Sequence, residues 1–183
     1  FMTSTRAERL TRSGNGVTIE VDGPGGKQTL SAKALLVSVG RAPNTEGLGL
    51  ETVGVKTENG FVQVGDYYRT DVESIYAIGD VVATPQLAHV ASKEGEIAVE
   101  HMAGDLPEPR VDLDLIPGTI YTEPQIASFG PTEEQAAERE IPFEKALFPY
   151  RGAGKSVAIG PPDGMVKLLY HKETREIVAA HIV

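Results

Sequence analysis

Cysteine and tryptophan are both absent from the 183 residues. Without a thiol, the chain contains no disulfide, no thiolate nucleophile and no cysteine metal site. Basic residues are in deficit, 17 against 26 acidic ones, and the formal charge is −9. No Lys/Arg block is present, so a nucleic-acid partner is not expected. No apolar run approaches the ~20 residues needed to span a bilayer, and the opening FMTSTRAERLTRSG lacks the apolar centre of a signal peptide. The expectation is a soluble cytoplasmic protein with no membrane partner. At about 100–200 residues per domain, the length allows one domain or parts of two.

Histidine is also sparse. The four histidines, His89, His101, His171 and His181, are scattered and form no triad with an acid and a nucleophile, which leaves hydrolase and zinc readings without support. PYRGAGKS, residues 149–156, resembles a phosphate-binding loop superficially. It has Pro149 where the loop's first glycine belongs, and the following SVAI reads as a strand.

Alternation of Val17, Ile19 and Val21 with Thr18, Glu20 and Asp22, before the turn-forming GPGG of 23–26, predicts a β-meander. Ala34 to Val39, ALLVSV, reads as a strand covered on both faces and ends at Gly40. The irregular stretch from Gly40 onward places a boundary near Arg41. Ile75 to Ile78 reads as a second buried strand, closed by Gly79 and Asp80. Thr84–Pro85 has the chemistry of an N-cap followed by proline at the first helical position. The helix it opens carries Leu87, Ala91, Ala98 and Met102 at helical spacing, with Gly104 as its stop.

Beyond the Pro-rich LPEPRVDLDLIPG, short strands dominate: TIYT, IASF, EKALF, SVAI, MVKLLY and EIVAAHIV, with PDG and KETR as hairpin turns. The TEEQ of 132–135 is a capping-box pattern opening a short helix. The last strand, 176–183, is expected to form an unpaired sheet edge that drives self-association.

Asp80 is the residue that invites a functional reading. In open α/β sheets, ligands bind beyond the carboxyl ends of the strands. Gly79 allows close backbone approach, an ionised Asp accepts hydrogen bonds from sugar-like hydroxyls, and the N–H groups of Leu87 and Ala88 would face the same crevice.

The run from Thr70 through IYAIGD resembles the second flavin motif of the FAD-dependent pyridine nucleotide–disulfide oxidoreductases, and QLAHVASKEG, 86–95, is similar to the segment that follows it. LLVSVGRAPNTEGLGLE is similar to that family's junction between NAD and FAD domains. TIYTEPQIASFGPTEEQA is similar to the start of the interface domain in the dihydrolipoamide dehydrogenase branch. Gln125 and Glu140 depart from that branch, which usually has Glu and Gly there. If position 140 needs a positive φ, its glutamate costs about 1–2 kcal/mol.

The resemblance implies a mixed α/β and α+β fold in three parts. They are the β-meander tail of an NAD domain over 1–41, the second part of a Rossmann-like FAD domain over 42–113, and a truncated antiparallel interface (dimerisation) domain over 114–183. It implies that Asp80 bonds the ribityl chain of FAD, with Gly79, Gln86, Leu87, Ala88 and His89 around the flavin. Gly40 would lie near the nicotinamide nucleotide of NAD or simply end a strand, and Arg41 would pair with a carboxylate or a phosphate or act as a structural clamp.

The family's cysteine pair and the glycine-rich dinucleotide turns are not in this sequence, nor are its catalytic His and Glu. The chain is therefore expected to be the C-terminal portion of a longer homodimeric oxidoreductase serving the lipoyl-bearing acyltransferase of a 2-oxo acid dehydrogenase complex. Alone, it is expected to be inactive. A mercuric or glutathione reductase-like flavoprotein, a non-enzymatic dimerisation module and a flavin sensor are the alternatives.

Overall fold

The computed structural model describes residues 1–160 and 163–183. The chain divides into two compact units, Phe1–Ala42 and Pro43–Val183.

The first unit is the meander that alternation predicts. Strands β1 (Arg6–Ser13), β2 (Gly16–Gly23) and β3 (Gly26–Ala32) form one antiparallel sheet in chain order. Leu10 pairs with Ile19 and Ile19 with Leu30, so the apolar positions line up across the sheet. The GPGG turn closes between the paired Gly23 and Gly26. Residues 34–39 are not a strand, contrary to the expectation from ALLVSV. Pairing explains the difference: a buried strand needs neighbours on its edges, and among the described residues no strand pairs with this one. Leu36 and Val39 accordingly lie about nine-tenths exposed, at 90% and 92%.

In the second unit, a short hairpin of β4 (Thr57–Glu58) and β5 (Phe61–Val62) leads into a small core. Val55, Val62 and Val82 are buried there, with Leu50, Val64, Val72, Ile75, Ala77 and Val81 packed around them. Ile75 to Ile78 enters this core as extended chain tied by single contacts rather than as the ladder strand its composition predicts. Arg69 bridges Tyr76, the Ala77 N–H donates to the Tyr68 carbonyl at 3.0 Å, and Val62 makes one parallel bridge to Val82.

Helix α1 (Ala88–Met102) follows. Its buried face is Val90, Glu94, Ile97 and Ala98, one helical stripe. The stripe is rotated from the expected one: Met102 is exposed, and Leu87 is the N-cap. Gly104 does terminate the helix. At φ 97 it donates to the His101 carbonyl, while the Asp105 N–H reaches the Glu100 carbonyl, the paired bonds of a Schellman ending.

The C-terminal part is a five-stranded antiparallel sheet in the order β6 (Gly118–Ile120), β7 (Ile126–Phe129), β10 (Ile177–Ile182), β9 (Met165–His171), β8 (Phe143–Pro149). Helix α2 (Glu133–Glu138) opens with the capping box: the Gln135 N–H donates to Thr132 Oγ1 at 3.2 Å, and the Thr132 N–H to Gln135 Oε1 at 3.0 Å. Ala136 of α2 packs on Leu169 and Ala179 to form the second core.

Two expectations fail here. The last strand, β10, is central, paired to β7 and β9, and the edges are β6 and β8. SVAI lies in helix α3 (Gly154–Ile159), not in a strand. The PDG turn expected at 162–164 includes Pro162, which lies outside the described residues. The condition attached to Glu140 is met: its φ is 56.

Candidate functional site

Thr70 begins the motif and is buried. Its N–H and Oγ1 both donate to the Ile75 carbonyl, at 2.9 Å each, and Oγ1 accepts the Val72 N–H at 3.1 Å. A threonine supplies that donor–acceptor pair in a volume the core can hold. It closes the loop 70–75 and delivers the chain into Ile75 to Ile78.

The extended chain then turns sharply over Gly79–Val81, a single 3₁₀ turn closed by the Val82 N–H donating to the Gly79 carbonyl at 2.9 Å. Gly79 has φ 72, and a Cβ there would stand 3.3 Å from the Ala91 Cβ of α1. Glycine satisfies both the left-handed backbone and the close helix. Asp80 follows on the exposed side of the turn, and the Gln86 side chain donates to its carbonyl at 3.3 Å.

The approach to α1 differs from the N-cap reading of Thr84–Pro85. The Leu87 N–H donates to the Pro85 carbonyl at 2.8 Å, a tight turn that delays the helix, so α1 starts at Ala88 with Leu87 as N-cap. Leu87 has no capping side chain, and its own N–H is taken, which removes it as a donor toward a ligand. The first-turn N–H groups of Ala88 and His89 have no intrahelical partners and lie at the positive end of the helix dipole. No acidic side chain occupies the first turn to absorb that field. Thr84 Oγ1, in the same connection, is buried without a partner among the described residues.

Of the residues singled out by sequence, Gly79, Asp80, Gln86, Leu87, Ala88 and His89 thus come together around one turn and one helix start. His89 Nε2 pairs with the Pro117 carbonyl at 2.8 Å, which ties α1 to the start of the five-stranded sheet. Gly40 belongs to the other unit, where it has φ 112 and open space around its Cα. Its positive φ is one that favours glycine, but residues 34–39 are not a strand, so Gly40 does not end one as expected.

The remaining histidines have structural surroundings. His101 stacks on Tyr67 at 4.2 Å and pairs with the Tyr76 hydroxyl at 2.9 Å through Nδ1. His171 Nδ1 accepts the backbone N–H groups of Glu173 and Thr174 in the KETR turn. His181 has its Nδ1 buried without a partner among the described residues, and burial, reinforced by Lys167, pushes its pKa down against the opposing pull of Glu133. At the end of PYRGAGKS, helix α3 runs through GKSVAI where SVAI is expected to be a strand, and its start carries no capping side chain.

Sequence reasoning passed over Glu94, which is fully buried and accepts the Gly79 N–H through Oε2 at 2.7 Å. The signal was available: Glu94 falls on the stripe of Val90, Ile97 and Ala98, where a carboxyl is out of place.

Residues 1–95 match the model of the pyridine nucleotide-disulphide oxidoreductases, and residues 116–183 match that family's dimerisation domain. Over the whole chain, the sequence is 40% identical to a dihydrolipoyl dehydrogenase of Bacillus subtilis and 42% identical to the mitochondrial dihydrolipoyl dehydrogenase 2 of Arabidopsis thaliana. It spans 39% and 36% of their lengths. The crystal structure of LpdA from Mycobacterium tuberculosis superposes with a TM-score of 0.86 at 29% identity, over 98% of this chain and 38% of that one. The flavoprotein disulfide reductase RclA from Escherichia coli shares the fold, with a TM-score of 0.81 at 24% identity over 97% of this chain and 40% of that one. The chain belongs to the pyridine nucleotide-disulphide oxidoreductase family.

Proposed function

We propose that this chain supplies part of the FAD site and the dimer-forming sheet of a longer flavoprotein that oxidises dihydrolipoamide and reduces NAD. The observation that carries the reading is the Gly79–Asp80 turn beside the start of α1, in a chain of this family. The residues present suit the cofactor. An exposed carboxylate stands beside a helix start whose first N–H groups have no intrahelical partner, with no acidic first turn and, among the described residues, an orphaned buried hydroxyl. Asp80 would accept hydrogen bonds from the ribityl hydroxyls. The Ala88 and His89 N–H groups would donate to the electron-rich edge of the flavin, and Gln86 holds the Asp80 carbonyl. When bound, FAD supplies the redox chemistry that links a dithiol to a nicotinamide.

In this division of labour, residues 1–41 are the tail of the NAD domain, 42–113 the second part of the FAD domain and 114–183 the interface domain. Homodimerisation through 114–183 is supported by the match to the dimerisation domain. It is supported also by apolar side chains left open near the sheet edges, Ile120 and Tyr121 at β6 and Leu147 and Phe148 on β8. The lipoyl-bearing acyltransferase of a 2-oxo acid dehydrogenase complex is the partner this chemistry calls for. The test is NAD reduction by the longer protein with dihydrolipoamide as electron donor. Turnover lost in Asp80→Ala at limiting FAD and recovered with excess FAD supports the assignment. Turnover indifferent to that substitution at any FAD concentration contradicts it.

A further inference from the structure

Glu94 stands on the buried stripe of α1 with no solvent exposure. One oxygen accepts the Gly79 N–H at 2.7 Å, and the other has no partner among the described residues. A buried carboxyl with one oxygen unsatisfied is costly, and an apolar side chain of similar size would pack there without that cost. What the carboxyl adds, and an apolar residue cannot, is an acceptor for one backbone N–H.

That N–H belongs to the residue on which the turn pivots. The Gly79 carbonyl is fixed by the Val82 N–H and its amide by Glu94, so both peptide groups flanking the Gly79 Cα are held. The helix surface below is fitted to the turn from both sides. A Cβ on Gly79 would approach Ala91, and a Cβ on Gly95 would stand 3.2 Å from Ile78 Cδ1. Ala91, Glu94 and Gly95 therefore form a seat: two small residues admit the backbone and the third bonds it.

We propose that Glu94 is a positioning residue of the flavin site, its Oε2 pinning the Gly79 amide and thereby setting the direction in which the Asp80 carboxylate leaves the turn. The proposal rests on the assignment of Asp80 to FAD. Glu94 touches the turn and not the ligand, and it acts by keeping the bonding geometry of Asp80 populated in the absence of flavin. Affinity falls with the fraction of molecules that hold the competent geometry.

The experiment uses the longer flavoprotein, stripped of FAD, with Glu94→Leu, Glu94→Met, Glu94→Gln and Asp80→Ala. Flavin titration gives the Kd, and urea unfolding of the apoprotein gives the stability. Both apolar variants are expected to raise the FAD Kd about tenfold or more while the unfolding midpoint of the apoprotein holds or rises, opposite signs that a purely structural role does not produce. Glu94→Gln, whose amide oxygen accepts the same N–H, should stay close to the unsubstituted protein. Apolar variants with unchanged Kd, a Gln variant as weak as the apolar ones, or apoproteins that no longer fold would each overturn the proposal. Asp80→Ala separates the two levels. If it weakens FAD while the apolar Glu94 variants do not, only the role of Glu94 falls. If Asp80→Ala itself leaves the Kd unchanged, the FAD assignment falls first.

Discussion

Replacing Glu140 by glycine should stabilise the protein, and the size of the gain follows from the local geometry. Helix α2 ends in the same way as α1: the Glu140 N–H donates to the Ala137 carbonyl and the Ile141 N–H to the Ala136 carbonyl, both orphan acceptors of the last turn. Those bonds require position 140 in the left-handed region, and Glu140 sits at φ 56. A residue with a Cβ pays ~1–2 kcal/mol there. Glycine removes that cost but gives back roughly 0.5–1 kcal/mol through the greater freedom of its unfolded chain. Glu140 is exposed, so no packing is lost with its side chain. The net expectation is a gain of about 0.5–1 kcal/mol, or a Tm rise of about 1–4 °C at this chain length. Urea denaturation with a shared slope measures it. Glu140→Ala keeps the Cβ and should leave stability almost unchanged, while Glu138→Gly, inside the same helix, should cost about 0.5–1 kcal/mol. Glu140→Gly that is neutral or destabilising would refute the argument.

Thr132→Ala removes one half of the capping box and should lower stability by about 0.5–2 kcal/mol, with Thr132→Ser nearly neutral in the same denaturation assay. His181 makes stability pH-dependent. Its folded pKa lies below the ordinary value of about 6.5, so the unfolded chain binds more protons in the window between the two values. Stability should hold above pH ~6.5 and decline as pH falls through that window, and His181→Gln should flatten that part of the curve in urea titrations. The 183-residue chain alone should not oxidise dihydrolipoamide even with excess FAD. Thiol–disulfide exchange needs a thiolate and a leaving sulfur, and no residue here supplies either. NAD reduction above the free-flavin background would show otherwise.

Elements whose partners are adjacent in sequence were legible from the residues alone. The meander around Val17, Ile19 and Val21, the capping box at Thr132 and Gln135, and the Gly104 helix end each rest on contacts within a few residues. Failures cluster where the outcome depends on distant or missing partners. ALLVSV has the composition of a covered strand, but pairing is non-local, and no described strand borders it. The central position of β10 depends on β7, some fifty residues upstream. Thr84–Pro85 carried the right cap chemistry, yet the Pro85–Leu87 turn moved the helix start to Ala88, a competition between two local motifs that spacing cannot decide. Around Asp80, the family motif located the turn. The buried Glu94 beneath it was visible only as an acid on an apolar stripe, and the bond to Gly79 gave that anomaly a meaning.

The central claim is that the Asp80 carboxylate holds FAD. An equilibrium titration of FAD into the longer apoprotein, unsubstituted and with Asp80→Asn, tests it most directly, because Asn keeps the size and removes the charge. Hydrogen bonds to a charged acceptor contribute ~1.5–3 kcal/mol, so the variant should bind FAD roughly ten- to a hundredfold more weakly. Equal affinities in the two proteins would contradict the account.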